Sequence, residues 1–296
     1  MKLLQLYSQV VKFGKDRDPR KKALIKSFED SAILNGGPET EIKKILVGID
    51  IEVAELLLAE RIRENEGLDL VISHHPEGKA YAALHEVMRL QVDILVKAGL
   101  SRSVAAELLE ERIREVERRL MPNNHMRPVD AARLLNLPFM CIHTPADNHA
   151  AAFLQGLFVK EKPRKVQDIV DILMGLEEYK IAVKALNNGP KIILGNPRRY
   201  VGKILMEMTG GTEGNKDVYD KLYKTGVRTL VSMHLSEEHF KKVKDANLNV
   251  VIAGHISSDT LGLNLLLDRI EKEAKQTFQT LDCSGFNRIR RNKFAQ

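Results

Sequence analysis

Two adjacent imidazoles, His74 and His75, follow a short apolar run and directly precede Pro76. Neighbouring side chains of a regular strand point to opposite faces, so both rings can serve one pocket only if the chain turns there. Pro76 with Gly78 supplies such a turn, which would aim each ring at a different metal ion. A second motif, His143-Thr-Pro-Ala-Asp147, offers a carboxylate able to bridge two ions through its two oxygens, with His143 close enough to support it. A third, Gly254-His255-Ile-Ser-Ser-Asp259, sets His255 and Asp259 four residues apart, on one face if a helix begins there. His74, His75, Asp147, His255 and Asp259 together make three imidazoles and two carboxylates. That set suits a pair of zinc, manganese, iron or cobalt ions and is too rich in nitrogen for calcium. Taken singly, each residue has a plainer role: a surface histidine pair, a core histidine at 143, a helix N-cap at Asp147, a helix-dipole carboxylate at Asp259. Recurrence at three strand ends, where open α/β sheets bind their ligands, favours the site.

The elements that must position these residues are legible in the hydrophobic pattern. Lys44 to Asp50 and Leu68 to Ser73 read as strands around a helix ending near Asn65, and Phe139 to Ile142 reads as another strand before His143. Between Lys79 and Leu137 the period becomes helical, with Leu109, Ile113, Val116 and Leu120 on one stripe, which makes this stretch an insertion or cap. In the second half, Lys191 to Leu194, Ile204 to Met208, Thr229 to Met233 and Asn249 to Ala253 read as buried strands. Helices are expected over Asn215 to Lys224, Glu237 to Ala246 and Asp259 to Lys275. Such alternation predicts an α/β protein with mostly parallel or mixed sheets covered by helices. Upstream, an apolar stripe of Leu3, Leu6, Val10 and Phe13 and a basic stretch after Pro19 predict a helical arm of two helices. The expected organisation is an arm over 1–40, a first α/β half over 41–165 containing the insertion 79–137, and a second half over 166–296. No short repeat stands out.

The 296 residues suffice to bury a core without staples, and no apolar run is long enough to cross a bilayer. The two cysteines, Cys141 and Cys283, are too few for a disulfide scaffold or a thiolate zinc site, so a metal would use nitrogen and oxygen ligands. No secretory signal is read in the first residues, and the cytoplasm is the expected location. A net charge of +6 on 46 basic and 40 acidic residues is compatible with an anionic substrate without requiring nucleic acid. The basic segment Arg288-Ile-Arg-Arg291 with Lys293 reads as solvated surface, so nucleic acid is not expected as a partner.

In three ordered motifs, Leu70-Val-Ile-Ser-His-His-Pro76, His143-Thr-Pro-Ala-Asp147 and Gly254-His255-Ile-Ser-Ser-Asp259, the chain resembles the Nif-three-like family, often labelled GTP cyclohydrolase 1 type 2 homologues. Ile45 to Asp50 resembles the family's opening strand, and Gly210-Gly211-Thr-Glu-Gly214 its glycine turn. The resemblance spans residues 43 to 275. It implies two related α/β halves facing a shared cleft, a dinuclear metal centre in that cleft, and frequently a ring-shaped hexamer. The same five residues fall on the family's ligand positions, and His143 on a neighbouring polar one. Three features depart from the pattern. Asp259 stands where a longer Glu is usual, and its reach across two ions is expected to be short. Ser232-Met233-His234 replaces a threonine-glycine-aspartate element, and the insertion is longer and more helical, able to cover the cleft differently. The expected activity is hydrolysis of a small anionic substrate by a metal-bound hydroxide, with His143, His234 and Glu213 as proton shuttles. A non-catalytic metal-handling protein is the alternative. A GTP cyclohydrolase activity follows from the family label alone.

Overall fold

The computed structural model describes residues 1–291, and Lys293 of the basic segment lies outside them. The amphipathic stripe at the start folds as α1 (Leu3–Arg17), with Leu3, Leu6, Val10 and Phe13 all buried. The second arm helix does not form. A single 3-10 turn at Lys22–Leu24 leads to strand β1 (Ala32–Asn35), because this segment meets the open edge of a later strand and satisfies its backbone there.

Next come β2 (Lys44–Gly48), α2 (Val53–Glu66) and β3 (Leu70–Ser73). The helical stretch resolves into α3 (Gly78–Ala82), α4 (Leu84–Val87), α5 (Leu90–Ala98), α6 (Arg102–Leu120) and α7 (Arg127–Leu134). The chain then returns through β4 (Phe139–Cys141) into α8 (Thr144–Glu161), α9 (Val166–Leu173) and α10 (Glu177–Leu186). The second half runs β5 (Lys191–Leu194), β6 (Lys203–Glu207), α11 (Tyr219–Lys224), β7 (Val227–Ser232), α12 (Glu237–Asp245), β8 (Asn249–Ile252) and α13 (His255–Ala274). A final strand, β9 (Gln279–Cys283), follows.

Two sheets result, ordered β1-β4-β3-β2-β9 and β5-β8-β7-β6. In the first, β1 runs antiparallel to β4 while β4, β3, β2 and β9 are mutually parallel. In the second, β5 runs antiparallel to β8 while β8, β7 and β6 are parallel. The pattern β1-β4-β3-β2 is therefore repeated as β5-β8-β7-β6, which makes the molecule an α/β protein of two related halves with mixed sheets. The strand after residue 278 does not stay with the second sheet but pairs with β2, residue for residue from Lys44↔Gln279 to Gly48↔Cys283.

The insertion packs on the second half. Leu109, Ile113, Val116 and Leu120 of α6 share one core with Leu205, Val218, Leu222, Leu230, Val243 and Val250. Helix α1 lies on α8 and α13, its apolar stripe sharing a core with β2, β3 and the middle of α13. The two helices that carry Asp147 and Asp259 are thus packed against each other. At their crossing, a Cβ on Gly262 would come within 2.4 Å of the Ala146 carbonyl oxygen, so any side chain there would push them apart. Among the described residues no helix is long and apolar enough to cross a membrane.

Candidate metal centre

The carboxyl ends of β3, β4 and β8 meet at one point. His74 and His75 extend β3 by two residues, their N–H groups donating to the carbonyls of Gly48 and Ile49, both at 2.9 Å. The Ser73 hydroxyl then bonds the His75 carbonyl at 2.8 Å, and Gly78 turns the chain with φ +57°. Both rings face the pocket, their centroids 5.3 Å apart. His143 is the N-cap residue of α8, which puts Asp147 inside the first turns of that helix and not at the cap. Helix α13 begins at His255, so His255 and Asp259 do share a face.

The donor atoms form two groups that share Asp259. His74 Nε2 lies 3.3 Å from Asp147 Oδ1 and 3.5 Å from Asp259 Oδ1. His75 Nε2 and His255 Nε2 each lie 3.6 Å from Asp259 Oδ2. Ligand bonds of about 2.1 Å at tetrahedral angles place ligand atoms ~3.4 Å apart, so these spacings fit a cation between them. His74 Nε2, Asp147 Oδ1 and both oxygens of Asp259 are buried and make no hydrogen bond, a costly state for polar atoms unless an ion joins them. The short side chain of Asp259 thus lies between the two groups, one oxygen toward each. These His and Asp residues could hold a metal ion. The imidazoles of His74, His75 and His143 also converge closely enough to do so.

Outer contacts fix which nitrogen faces inward. His74 Nδ1 donates to the Ile142 carbonyl at 3.0 Å and His75 Nδ1 to Asp50 at 2.6 Å, which turns each Nε2 lone pair to the centre. Burial opposes charge on His74, but Asp259 and Asp147 outweigh it and raise its pKa. Burial likewise opposes charge on Asp259, while His74 and the neighbouring imidazoles hold it below the usual carboxylate range. Without metal, a proton on His74 balances the two carboxylates, and a bound cation would take its place.

Sequence reading missed Asp30. It is fully buried, accepts from His143 Nδ1 at 2.8 Å, from the Thr144 hydroxyl at 2.6 Å and from the Thr144 N–H at 3.2 Å, and so orients the His143 ring. His143 Nε2 points toward Asp147, 3.8 Å from its Oδ2. His234 stacks edge-on against His255 with centroids 4.8 Å apart, and its Nδ1 lies 3.6 Å from Glu213 Oε1. Burial opposes ionisation of Glu213, but His234, the Ser236 N–H and His239 hold its pKa at about 2, and the same Glu213 contact raises that of His234. Six of the eight residues singled out in the sequence, His143, Asp147, Glu213, His234, His255 and Asp259, therefore line one cleft, and His74 and His75 stand behind it against Asp259.

That cleft spans about 740 Å³, the open solvent at its mouth included, and opens beside Asp147, His255 and Asp259. Its far wall comes from the insertion, through Gln91, Ile94, Leu95 and Leu109, and from the loop after β6. Gln91 donates to the carbonyls of Gly210 and Thr212 at 2.8 and 2.7 Å, tying α5 to a loop whose Gly210 and Gly211 have φ of +105° and +84°. A second residue missed in the sequence, Glu207, ends β6 in this wall, where burial pushes its carboxyl up to about 7. A carboxyl with a folded pKa above its unfolded value costs nothing at low pH and destabilises as pH rises through the folded value. Glu207→Gln is therefore expected to change thermal stability little at pH 5 and to raise it at pH 8.5, by up to about 3 kcal/mol. Melting curves at both pH values check this, and an equal shift at both would sink it.

The halves also repeat their site geometry. Ser73-His74-His75 after β3 matches Ser232-Met233-His234 after β7, down to a serine hydroxyl donating to the carbonyl two residues on, at 2.8 and 2.7 Å. His143 and Asp147 after β4 match His255 and Asp259 after β8. A structure comparison then decides the relationship. A NIF3 superfamily protein from Sphaerobacter thermophilus is 27% identical and superimposes with a TM-score of 0.76, over 94% of this chain and 98% of that one. In fold and in the order of its three motifs this chain is similar to the NIF3 superfamily. Reduced HcgD from Methanocaldococcus jannaschii shares the fold at 14% identity, TM-score 0.57, over 95% and 97% of the two chains. TTHA1606 from Thermus thermophilus does so at 14% identity, TM-score 0.51, over 96% and 98%. No family model and no curated protein matches the chain. Within the NIF3 fold, the expected basic tail is folded in: Arg288 pairs with Asp268 and Glu271, and Arg291 with Glu178. These arginines are engaged in ion pairs within the chain.

Proposed function

We propose that this NIF3-like protein is a hydrolase of a small substrate that works with two divalent ions, zinc, manganese, iron or cobalt. The observation that carries the reading is the pair of donor groups sharing Asp259 beside a cleft of about 740 Å³. His74, Asp147 and one oxygen of Asp259 would hold one ion, and His75, His255 and the other oxygen the second. Two ions in such a site supply Lewis acidity toward the scissile group and make a shared water acidic near neutral pH. The protein's own residues do the rest. Asp30 holds the His143 ring so that Nε2 faces the cleft, where it can take or give a proton. The Glu213–His234 pair offers a second proton-carrying group on the opposite side of His255.

The anionic character expected of the substrate would rest on the bound ions and on His143, His234 and His255, since the cleft lining contains no lysine or arginine. The glycine loop makes a poor phosphate cradle, since the Thr212 N–H is already spent on the Gly210 carbonyl at 3.1 Å and the next α-helix has only six residues. This removes support from the GTP cyclohydrolase reading. A homo-oligomer, on the family pattern a hexamer, and a cytoplasmic location belong to the same proposal. For the oligomer, the adjacent Leu57 and Leu58 on α2 are 56% and 50% exposed and suit a contact between copies.

The test combines elemental analysis with turnover. Purified protein is expected to carry two ions per chain and to hydrolyse at least one member of a panel of esters, phosphoesters and cyclic amides, with chelation abolishing the rate. Two ions that exchange readily with a chelator, together with no turnover on any member, would instead identify a metal-handling protein. A His75→Ala variant that bound as much metal as the parent would show the site to be wrong.

A further inference from the structure

The cleft wall beyond the metal centre is chemically selective. Its polar side chains are almost all committed to the protein. The Gln91 amide is spent on two carbonyls. Asn215 donates to the Leu108 carbonyl at 2.6 Å and accepts from the Asp217 N–H at 2.8 Å. The Thr209 hydroxyl donates to Asn148 at 2.7 Å, and that of Ser232 to the His234 carbonyl at 2.7 Å. Glu213 is engaged by the Ser236 N–H at 2.6 Å and faces His234 and His239. Glu207 is the uncommitted charged group: among the described residues its carboxylate has no hydrogen-bond or ion-pair partner, and with Leu95, Met208 and Val218 it lines the cleft.

Position matters as much as charge. Glu207 is paired in register with Ser232, so both side chains leave the same face of the sheet, one strand apart. Parallel strands lie about 4.8 Å apart, which separates the end of β6 from the end of β8 by roughly 10 Å. A small molecule can therefore touch Glu207 at one end and the residues around His255 at the other. An anionic group at the β6 end would meet Glu207 and Glu213, with the His234 imidazole, already facing Glu213, as the one basic side chain of the cleft lining near them. A group with two adjacent N–H bonds and positive charge would meet an unpartnered carboxylate in apolar surroundings, where a two-point charged hydrogen bond is strongest.

We propose that Glu207 is the specificity-determining residue of the cleft, and that it receives the paired N–H groups of an amidine, a guanidine or an amino-substituted nitrogen ring. This rests on the reading of the cleft as the substrate site, not on the reaction performed there. Burial that raises the carboxyl to about 7 is in keeping with a group that awaits a cationic partner. Glu207→Gln preserves shape and removes only the charge and one acceptor.

The experiment titrates the full-length protein, with its own metal content measured, at pH 8 with benzamidine, benzamide and benzoate, and repeats the series on Glu207→Gln. Benzamidine is expected to bind the parent and to bind the variant at least ten-fold more weakly. Benzamide is expected to bind both alike, and both proteins are expected to melt cooperatively. Equal benzamidine affinity in the two proteins, no benzamidine binding to the parent, or tighter binding of benzoate than of benzamidine to the parent would each overturn the assignment. The hydrolase reading stands or falls separately. Benzamidine bound through Glu207 in a protein that hydrolyses nothing keeps this inference and removes that one, and turnover without Glu207-dependent binding does the reverse.

Discussion

Asp259→Ala is expected to strip the centre of metal altogether. One oxygen of this carboxylate lies 3.5 Å from His74 Nε2 and the other 3.6 Å from both His75 Nε2 and His255 Nε2, and neither has a hydrogen bond. The substitution thus takes a ligand from both donor groups at once, whereas loss of any single histidine takes one from one group. Loss of a mere outer-shell partner already weakens metal sites by about 10–100-fold, so removal of the shared ligand should weaken binding by more than ~100-fold and abolish metal-dependent turnover. The readouts are metal content after gel filtration and the melting temperature with and without chelator. The parent should lose stability on chelation, because an ion that binds only the folded state stabilises it by mass action. The variant should melt at the same temperature in both conditions. A variant that retained the parent's metal content would remove Asp259 from the centre and with it the reading of two linked groups.

The sequence exposed the centre more readily than its supports. His74, His75, His143 and His255 each follow a short apolar run, and such runs are visible wherever a strand is buried on both faces. The stripe on α6 was equally plain, because helical periodicity is a local signal. By contrast β1 and β9 are short and half exposed, and β9 alternates Gln279, Thr280, Leu281, Asp282 and Cys283 with little apolar character. What makes β9 a strand is β2, more than two hundred residues away, and a window of sequence carries no trace of that. The basic stretch after Pro19 looked helical by composition, yet Ile25, Phe28 and Ala32 are buried along an irregular path that ends in β1. The duplication was present in the sequence as two His-x-x-x-Asp motifs and two Ser-x-His motifs after strands. With Met233 in place of one histidine, only the strand pairing shows them to be equivalent. Glu207 shows the converse case, a charged residue at a strand end whose meaning depends on the insertion that closes over it.

Asp30 combines both difficulties, and its replacement carries the second large effect. Nothing in Phe28-Glu-Asp-Ser31 marks one acidic residue above its neighbour, since the distant partners of Asp30 lie 113 and 114 positions further on, at His143 and Thr144. In the folded chain its carboxylate is fully buried and accepts three hydrogen bonds from those two residues. Asp30→Ala takes the acceptor from four buried donors, these three and the Ser31 hydroxyl at 3.3 Å. At about 1–3 kcal/mol for each orphaned group, and allowing for partial relaxation, the expected loss of stability is about 3–5 kcal/mol, measured by urea unfolding. Asp30→Asn separates support from stability. It keeps the volume and one acceptor but presents an amide N–H group to donors, so it should cost less in unfolding while freeing the His143 ring to rotate. Turnover should then fall more than about 10-fold, with the metal held by His74, His75, Asp147, His255 and Asp259 largely retained. If Asp30→Asn instead unfolded as easily as the alanine variant and left turnover per folded molecule unchanged, Asp30 would be a structural carboxylate alone and His143 would need no positioning.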